Sequence, residues 1–190
     1  MDPRVLDLLR RAAAALEPLG LPYSIGGAIA MHAHGYARYT SDIDVFALDE
    51  HRTQILRAFR THGLTVEPVF SPHHYIAYLP EQGELRVRVD ISFPAAEPEL
   101  SAIEFPVRAQ VMGTDINVFP LSLLVAAKFY SDRPEDHHDL AALLNRGLFD
   151  PDEVVRMIAS IDPEGAADFI AEIAELRRPR PPRKRPPKRT

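Results

Sequence analysis

The stretch that most constrains this chain is Asp42-Ile43-Asp44-Val45-Phe46-Ala47. Side chains alternate along an extended strand, so Asp42, Asp44 and Phe46 share one face while Ile43, Val45 and Ala47 share the other. The second face is wholly apolar and calls for burial. The first carries two carboxylates at i and i+2. Asp44, flanked by Ile43, Val45 and Phe46, is expected to be largely buried, and a buried carboxylate without a partner is costly. A divalent cation would offset that cost, whereas a polar strand end would leave it unexplained.

The flanking sequence places this strand in a wider pattern. Asp2-Pro3 is a helix start with proline at the first helical position, and Val5, Leu8, Leu9, Ala12 and Leu16 recur at helical spacing until Gly20. A short strand "PYSI" leads to Gly26-Gly27, and a helical "AIAMHAH" ends at Gly35. After the aspartate strand, Asp49 is placed to cap a helix "EHRTQILRAFRTH" that Gly63 closes. The middle of the chain is β-rich: "LTVEPVF", "YIAYL", "ELRVRVDISF" after an "EQG" turn, and "VRAQVM" with "INVF" as a hairpin through Gly113-Thr114-Asp115. From Pro120 the pattern turns helical, with "PLSLLVAAKFYS", "PEDHHDLAALLNR" closed by Gly147, "DEVVRMIAS" and "EGAADFIAEIAELRR". There is no internal repeat. The layout predicts an α+β fold, a mixed β-sheet with flanking helices in residues 1–119, and a C-terminal helical region packed on it in residues 120–176.

A chain of 190 residues with 46% hydrophobic content can bury one good core. No apolar run approaches the ~20 residues that span a bilayer, and the N-terminus lacks the basic-then-apolar order of a signal peptide, so the expectation is a soluble, cytoplasmic protein without a membrane partner. Cysteine is absent, which excludes disulfides, thiolate metal sites and cysteine nucleophiles. The net charge of -5 hides an uneven distribution, because residues 177–190, "RRPRPPRKRPPKRT", hold eight basic residues, five prolines and no acid. Positions 1–176 keep 14 basic against 27 acidic residues. The tail is expected to be disordered, serving either as an arm for RNA or another polyanion, or as a solvated terminus that folds back on the acidic body.

A third carboxylate is available to the pair. In "LRVRVDISF", Leu85, Val87, Val89 and Ile91 form an apolar face, and Arg86, Arg88, Asp90 and Ser92 form the other. If this strand pairs beside the aspartate strand, Asp90 joins Asp42 and Asp44. Three carboxylates without a His or Cys ligand favour a hard cation such as Mg²⁺ working with substrate phosphates. Phosphoryl or nucleotidyl transfer is the matching chemistry. Gly26-Gly27, at the start of a helix, lets bare backbone approach the phosphates. The eight histidines lack the His-x-x-x-His spacing of a zinc site, and no serine has a nucleophile-elbow context.

The run "GGAIAMHAHGYARYTSDIDV" resembles the first motif of the minimal nucleotidyltransferases of the polymerase beta superfamily. Within that superfamily, Arg38-x-Thr40-x-Asp42-Ile43-Asp44 and the downstream "KFYSDRPEDHHDL" look most like the AbiEii and MenT group of toxin-type nucleotidyltransferases. The resemblance covers roughly residues 20–145 and implies a polymerase beta-like nucleotidyltransferase fold that transfers NMP from an NTP such as ATP. Carried over by position, Gly26 and Gly27 would hold the triphosphate, and Asp42 and Asp44 would bind Mg²⁺ in a two-metal site. Asp90 would complete that site or act as base on the acceptor hydroxyl. Lys128 matches the family lysine that contacts phosphates, and Asp136 or Asp139 matches the fourth-motif aspartate. Arg38, Thr40, Ser41, Lys128 and Asp136 would stand around the nucleotide.

Plainer readings accompany several of these residues. Arg38 neutralises the aspartates as readily as it contacts phosphate, Lys128 follows an apolar run from which lysines snorkel to water, and Asp136 sits where an acid favours a helix dipole. The resemblance implies RNA, with tRNA the leading case, as acceptor, and an antitoxin encoded nearby as partner. The alternatives are transfer to a small hydroxylated molecule or a protein side chain, and a catalytically silent nucleotide-binding module.

Overall fold

The computed structural model describes residues 2–69, 71–80 and 87–178. Helix α1 (Pro3–Leu16) begins where Asp2 Oδ1 accepts a hydrogen bond from the Arg4 amide at 2.8 Å. It is followed by β1 (Tyr23–Ile25), α2 (Gly27–Ala33), β2 (Asp42–Ala47), α3 (Arg52–Thr61), β3 (Thr65–Val69), β4 (Ser71–Tyr78) and β5 (Arg88–Ser92). A short α4 (Glu99–Glu104) precedes the hairpin β6 (Val107–Val111) and β7 (Thr114–Val118). The chain then folds as α5 (Leu121–Phe129), α6 (Pro134–Asn145), α7 (Pro151–Ile161) and α8 (Pro163–Leu176). This is the expected α+β nucleotidyltransferase fold, a mixed sheet with flanking helices.

The seven strands form one sheet in the order β3-β4-β5-β2-β1-β7-β6. β2 is central, antiparallel to β1 and parallel to β5, and the β2–β5 register sets Asp44 directly beside Asp90. Alternation along β2 divides its side chains as anticipated: Ile43, Val45 and Ala47 are fully buried, while Asp42, Asp44 and Phe46 are half-buried. The apolar face packs with Val89 and Ile91 against Val5, Leu8, Leu9, Ala12 and Leu16 of α1 and Ile55 and Phe59 of α3. Helices α2 and α4 pack on the other side of β2, with α5 against both, and this side therefore looks into a cleft instead of a core. No helix among the described residues is long and apolar enough to cross a membrane.

Local details differ from the sequence expectations. Asp49 does not cap the third helix; residues Asp49–His51 form a 3-10 turn before it, and the Asp49 carboxylate pairs with Arg52. β4 starts at Ser71, because its antiparallel pairing with β5 holds His74 opposite Ser92, ahead of the apolar run that marked it in the sequence. The hairpin turn consists of Met112 and Gly113, both with positive φ, and Thr114 already pairs with Val111. Such a two-residue turn matches the twist of its strands better than a longer loop does. Helix α4 was not anticipated. Phe70, the "EQG" turn at 81–83, residues 84–86 and the tail from 179 lie outside the described residues.

Candidate active site

Asp44 of β2, in register with Asp90 of β5, lies against the start of α2. Gly26 donates its amide to the Asp44 carbonyl at 2.9 Å, which ties the glycine turn to the aspartate strand. At Gly27, φ is +54, and an added Cβ would collide with Asp44 Oδ2. The bare backbone expected to admit a phosphate thus admits the Asp44 carboxylate. At Gly26 a Cβ would come within 2.8 Å of the Phe46 ring, so both glycines are fitted to side chains of β2.

Negative charge at this point is concentrated. Burial, and after it the charges of Asp42 and Asp90, raise the Asp44 carboxyl from 3.8 to about 6, against the opposing charges of Arg133 and Lys128. Asp42 accepts the Thr40 hydroxyl at 2.6 Å, and both oxygens of Asp90 accept from Arg88 Nε, at 2.9 and 3.1 Å. His74 Nε2 stands 3.9 Å from Asp90 Oδ1. Among the described residues no group of three or more His, Asp or Glu side chains is arranged to hold a metal ion. Thr40 and Arg88 already engage the outer two acids. What the donor set does offer is oxygen ligands on one face and a carboxylate that burial, and after it its neighbours' charge, destabilises, which suits a hard divalent cation at Asp42 and Asp44.

A second cluster lies across the cleft on α5 and α6. Lys128 Nζ donates to Asp136 Oδ1 at 2.7 Å and to Asp139 Oδ2 at 2.6 Å, and these three side chains are only 4%, 2% and 6% exposed. Asp139 also receives Arg38 Nε at 3.0 Å, while Asp136 receives the Ser131 hydroxyl and Arg133 Nε, each at 2.7 Å. Burial raises the Asp136 carboxyl, but hydrogen bonds from Lys128 and Ser131 outweigh it and hold the group below the usual carboxylate range. Asp136 and Asp139 share a helix face, as their spacing requires, and both bind the same lysine. Arg38 is joined to this cluster and not to the carboxylates of β2. Thr40 is buried against Asp42, and Ser41 is exposed at the strand's mouth, where its carbonyl accepts the Arg88 amide at 3.2 Å.

The cleft between the two clusters has a volume of about 220 Å³. Its walls include Gly26, Gly27 and Asp44 on one side and Lys128, Ser131, Arg133 and Asp136 on the other. Its floor is apolar, from Phe46 and Phe119, whose rings lie 4.9 Å apart, together with Leu124 and Ala127. Glu99, at the start of α4, and Tyr130 complete the rim. Sequence reasoning missed Ser131, Arg133 and Glu99. For Arg133 a signal existed, since it immediately precedes the helix that carries Asp136 and Asp139; for Glu99 there was none, because α4 was not foreseen.

Comparisons with known proteins bear on this arrangement. The profile of the family described as aminoglycoside-2''-adenylyltransferase matches residues 8–143, a span from α1 to α6 that includes every residue of both clusters. A search of curated proteins finds no match. Among solved structures, the solution structure of the antibiotic-resistance factor ANT(2'')-Ia superposes with a TM-score of 0.60 at 20% identity, covering 93% of this chain and 96% of that one. The crystal structure of ANT(2'')-Ia in complex with adenylyl-2''-tobramycin gives 0.51 at 19% identity, covering 90% and 95%. A nucleotidyltransferase-like antigenic protein of Paracoccidioides brasiliensis gives 0.60 at 14% identity, covering 93% and 89%. At these identities the superpositions speak for the fold.

Proposed function

The chain belongs to the aminoglycoside-2''-adenylyltransferase family and is a nucleotidyltransferase, and we propose that it moves the adenylyl group of ATP onto a hydroxyl of a small, amine-bearing molecule. The observation that carries this reading is the family match over residues 8–143, which span both clusters; the register that sets Asp44 beside Asp90 agrees with it. The body's charge agrees with a cationic acceptor, since positions 1–176 hold 27 acids against 14 bases.

In this reading ATP lies in the cleft with its base and ribose over Phe46 and Phe119 and its phosphates between Asp44 and the α5–α6 cluster. Asp42 and Asp44 would hold Mg²⁺, which when bound supplies charge neutralisation for the triphosphate and the departing pyrophosphate. Asp90, aimed by Arg88, takes the proton of the acceptor hydroxyl. The acceptor oxygen then forms its bond to the α-phosphorus as the bond to pyrophosphate breaks. Thr40 fixes the Asp42 carboxylate, and the half-buried setting of Asp44 strengthens every charge interaction in the site.

The test is incubation with ATP labelled at the α-phosphate, Mg²⁺ and a panel of aminoglycosides. Label is expected in an aminoglycoside product from the native protein and not from Asp44→Ala. No label in any acceptor, with no ATP binding, contradicts the transfer reading. The basic tail supports one second reading, transfer to RNA by a relative of the AbiEii and MenT group, with an antitoxin as partner. Total tRNA in a parallel reaction separates the two.

A further inference from the structure

The α5–α6 cluster holds three cations, Arg38, Lys128 and Arg133, and two acids, and the three cations are not equivalent. Resting on the nucleotidyl-transfer reading, we propose that Arg133, and not Lys128, is the cation that grips the nucleotide's triphosphate, with Lys128 as a positioning residue beneath it.

Lys128 is poorly placed to bind an anion. Its side chain is 4% exposed, and two carboxylates lie within 2.7 Å of its Nζ, so the three groups together carry net negative charge. Drawing Nζ toward a phosphate would take from Asp136 and Asp139 the buried cation they share, leaving Asp139 only Arg38 and Asp136 only Ser131 and Arg133, a loss that buried acids resist. The lysine instead joins α5 to α6: it lies in the last turn of α5, and both of its acceptors lie on the buried face of α6.

Arg133 has the opposite character. It stands at the N-cap of α6, its side chain is 64% exposed, and it lines the cleft that Gly26, Gly27 and Asp44 also line. Its Nε and Nη2 both meet Asp136 Oδ2 at 2.7 Å, and Nε also reaches the Ser131 hydroxyl at 3.4 Å. Among the described residues Nη1 meets no protein acceptor, which leaves one edge of the guanidinium for a ligand. Its charge already acts on Asp44 across the cleft. A planar guanidinium held along one edge and open along the other is suited to phosphate oxygens, because its donors are fixed in direction before the ligand arrives. Asp136 supplies that hold, Ser131 braces the same carboxylate oxygen, and Lys128 fixes Asp136 through its other oxygen. The order of control runs from the buried lysine, through the aspartate, to the exposed arginine.

Binding of Mg²⁺-ATP, of inorganic tripolyphosphate and of adenosine to the full chain tests this by calorimetry. Loss of one charge-assisted contact predicts that Arg133→Gln weakens ATP and tripolyphosphate about 10-fold or more and leaves adenosine unchanged, with Arg133→Lys recovering part of the loss. Lys128→Gln is expected to lower the melting temperature and, assayed well below it, to change ATP affinity less than Arg133→Gln does. Native-like tripolyphosphate binding by Arg133→Gln overturns the proposal, as does a larger affinity loss in Lys128→Gln. If the native protein binds neither ATP nor tripolyphosphate, the transfer reading itself fails, a result distinct from either of these.

Discussion

At the scale of single residues, Gly27 and Asp44 act as one unit. The positive φ of Gly27 and the carboxylate lying where its Cβ would be both exclude any other residue there. Gly27→Ala is therefore expected to lower the melting temperature and remove transfer activity together, because the methyl displaces Asp44 and also strains the backbone. A variant with native melting temperature and native activity contradicts this account. Asp44 supplies a pH-dependent prediction. Its folded carboxyl is raised from 3.8 to about 6, so its contribution to stability is fully present below the unfolded value and is lost as pH rises through about 6. Metal-free native protein should lose on the order of 2 kcal/mol relative to Asp44→Asn between pH ~4 and ~7, as read by denaturant melts. Mg²⁺ added at the higher pH should restore part of the loss in the native protein only. These residues were legible in the sequence because strand alternation is a strict geometric rule. That Gly27 makes room for Asp44 itself was not legible, since the contact joins two elements that meet only in the folded sheet.

At the scale of elements, β2 divides structure from chemistry along its two faces. Ile43→Ala removes a fully buried side chain from the sheet's apolar face, and a cost of about 2–5 kcal/mol is expected in urea denaturation, with ATP affinity unchanged at temperatures where the variant is folded. A cost below about 1 kcal/mol contradicts the packing described. Most helices were legible, since α1, α5, α6, α7 and α8 follow proline or cap signals and run for nine residues or more. Helix α4 has six residues and no apolar period of its own; its contacts with β1, β2 and α5 shape it. The full length of β4 was hidden for a similar reason. Its first half, Ser71-Pro72-His73-His74, has neither strand composition nor alternation, and His74 reads as a strand residue only once it is paired with Ser92. The ion cluster of α5 and α6 shows the same limit. The sequence supplied Lys128, Asp136 and Asp139, but the partner each would choose depended on how the two helices pack.

At the scale of the whole molecule, the fold places an acidic face and a basic cluster on opposite walls of one cleft, and it does so with an acidic body. Residues 177–190 add eight basic side chains to that body. Their removal discriminates between acceptors. With a small-molecule acceptor, the chain ending at residue 176 should keep kcat/KM within about twofold of the full chain at any salt concentration, whereas an RNA acceptor predicts a salt-dependent loss. The proposed transfer of an adenylyl group to a small hydroxylated amine is read most directly by mass spectrometry of the acceptor after incubation with ATP and Mg²⁺. An aminoglycoside with a free 2''-hydroxyl should gain the mass of one AMP with native protein and none with Asp44→Ala. An unmodified aminoglycoside alongside AMP-labelled tRNA would contradict the account.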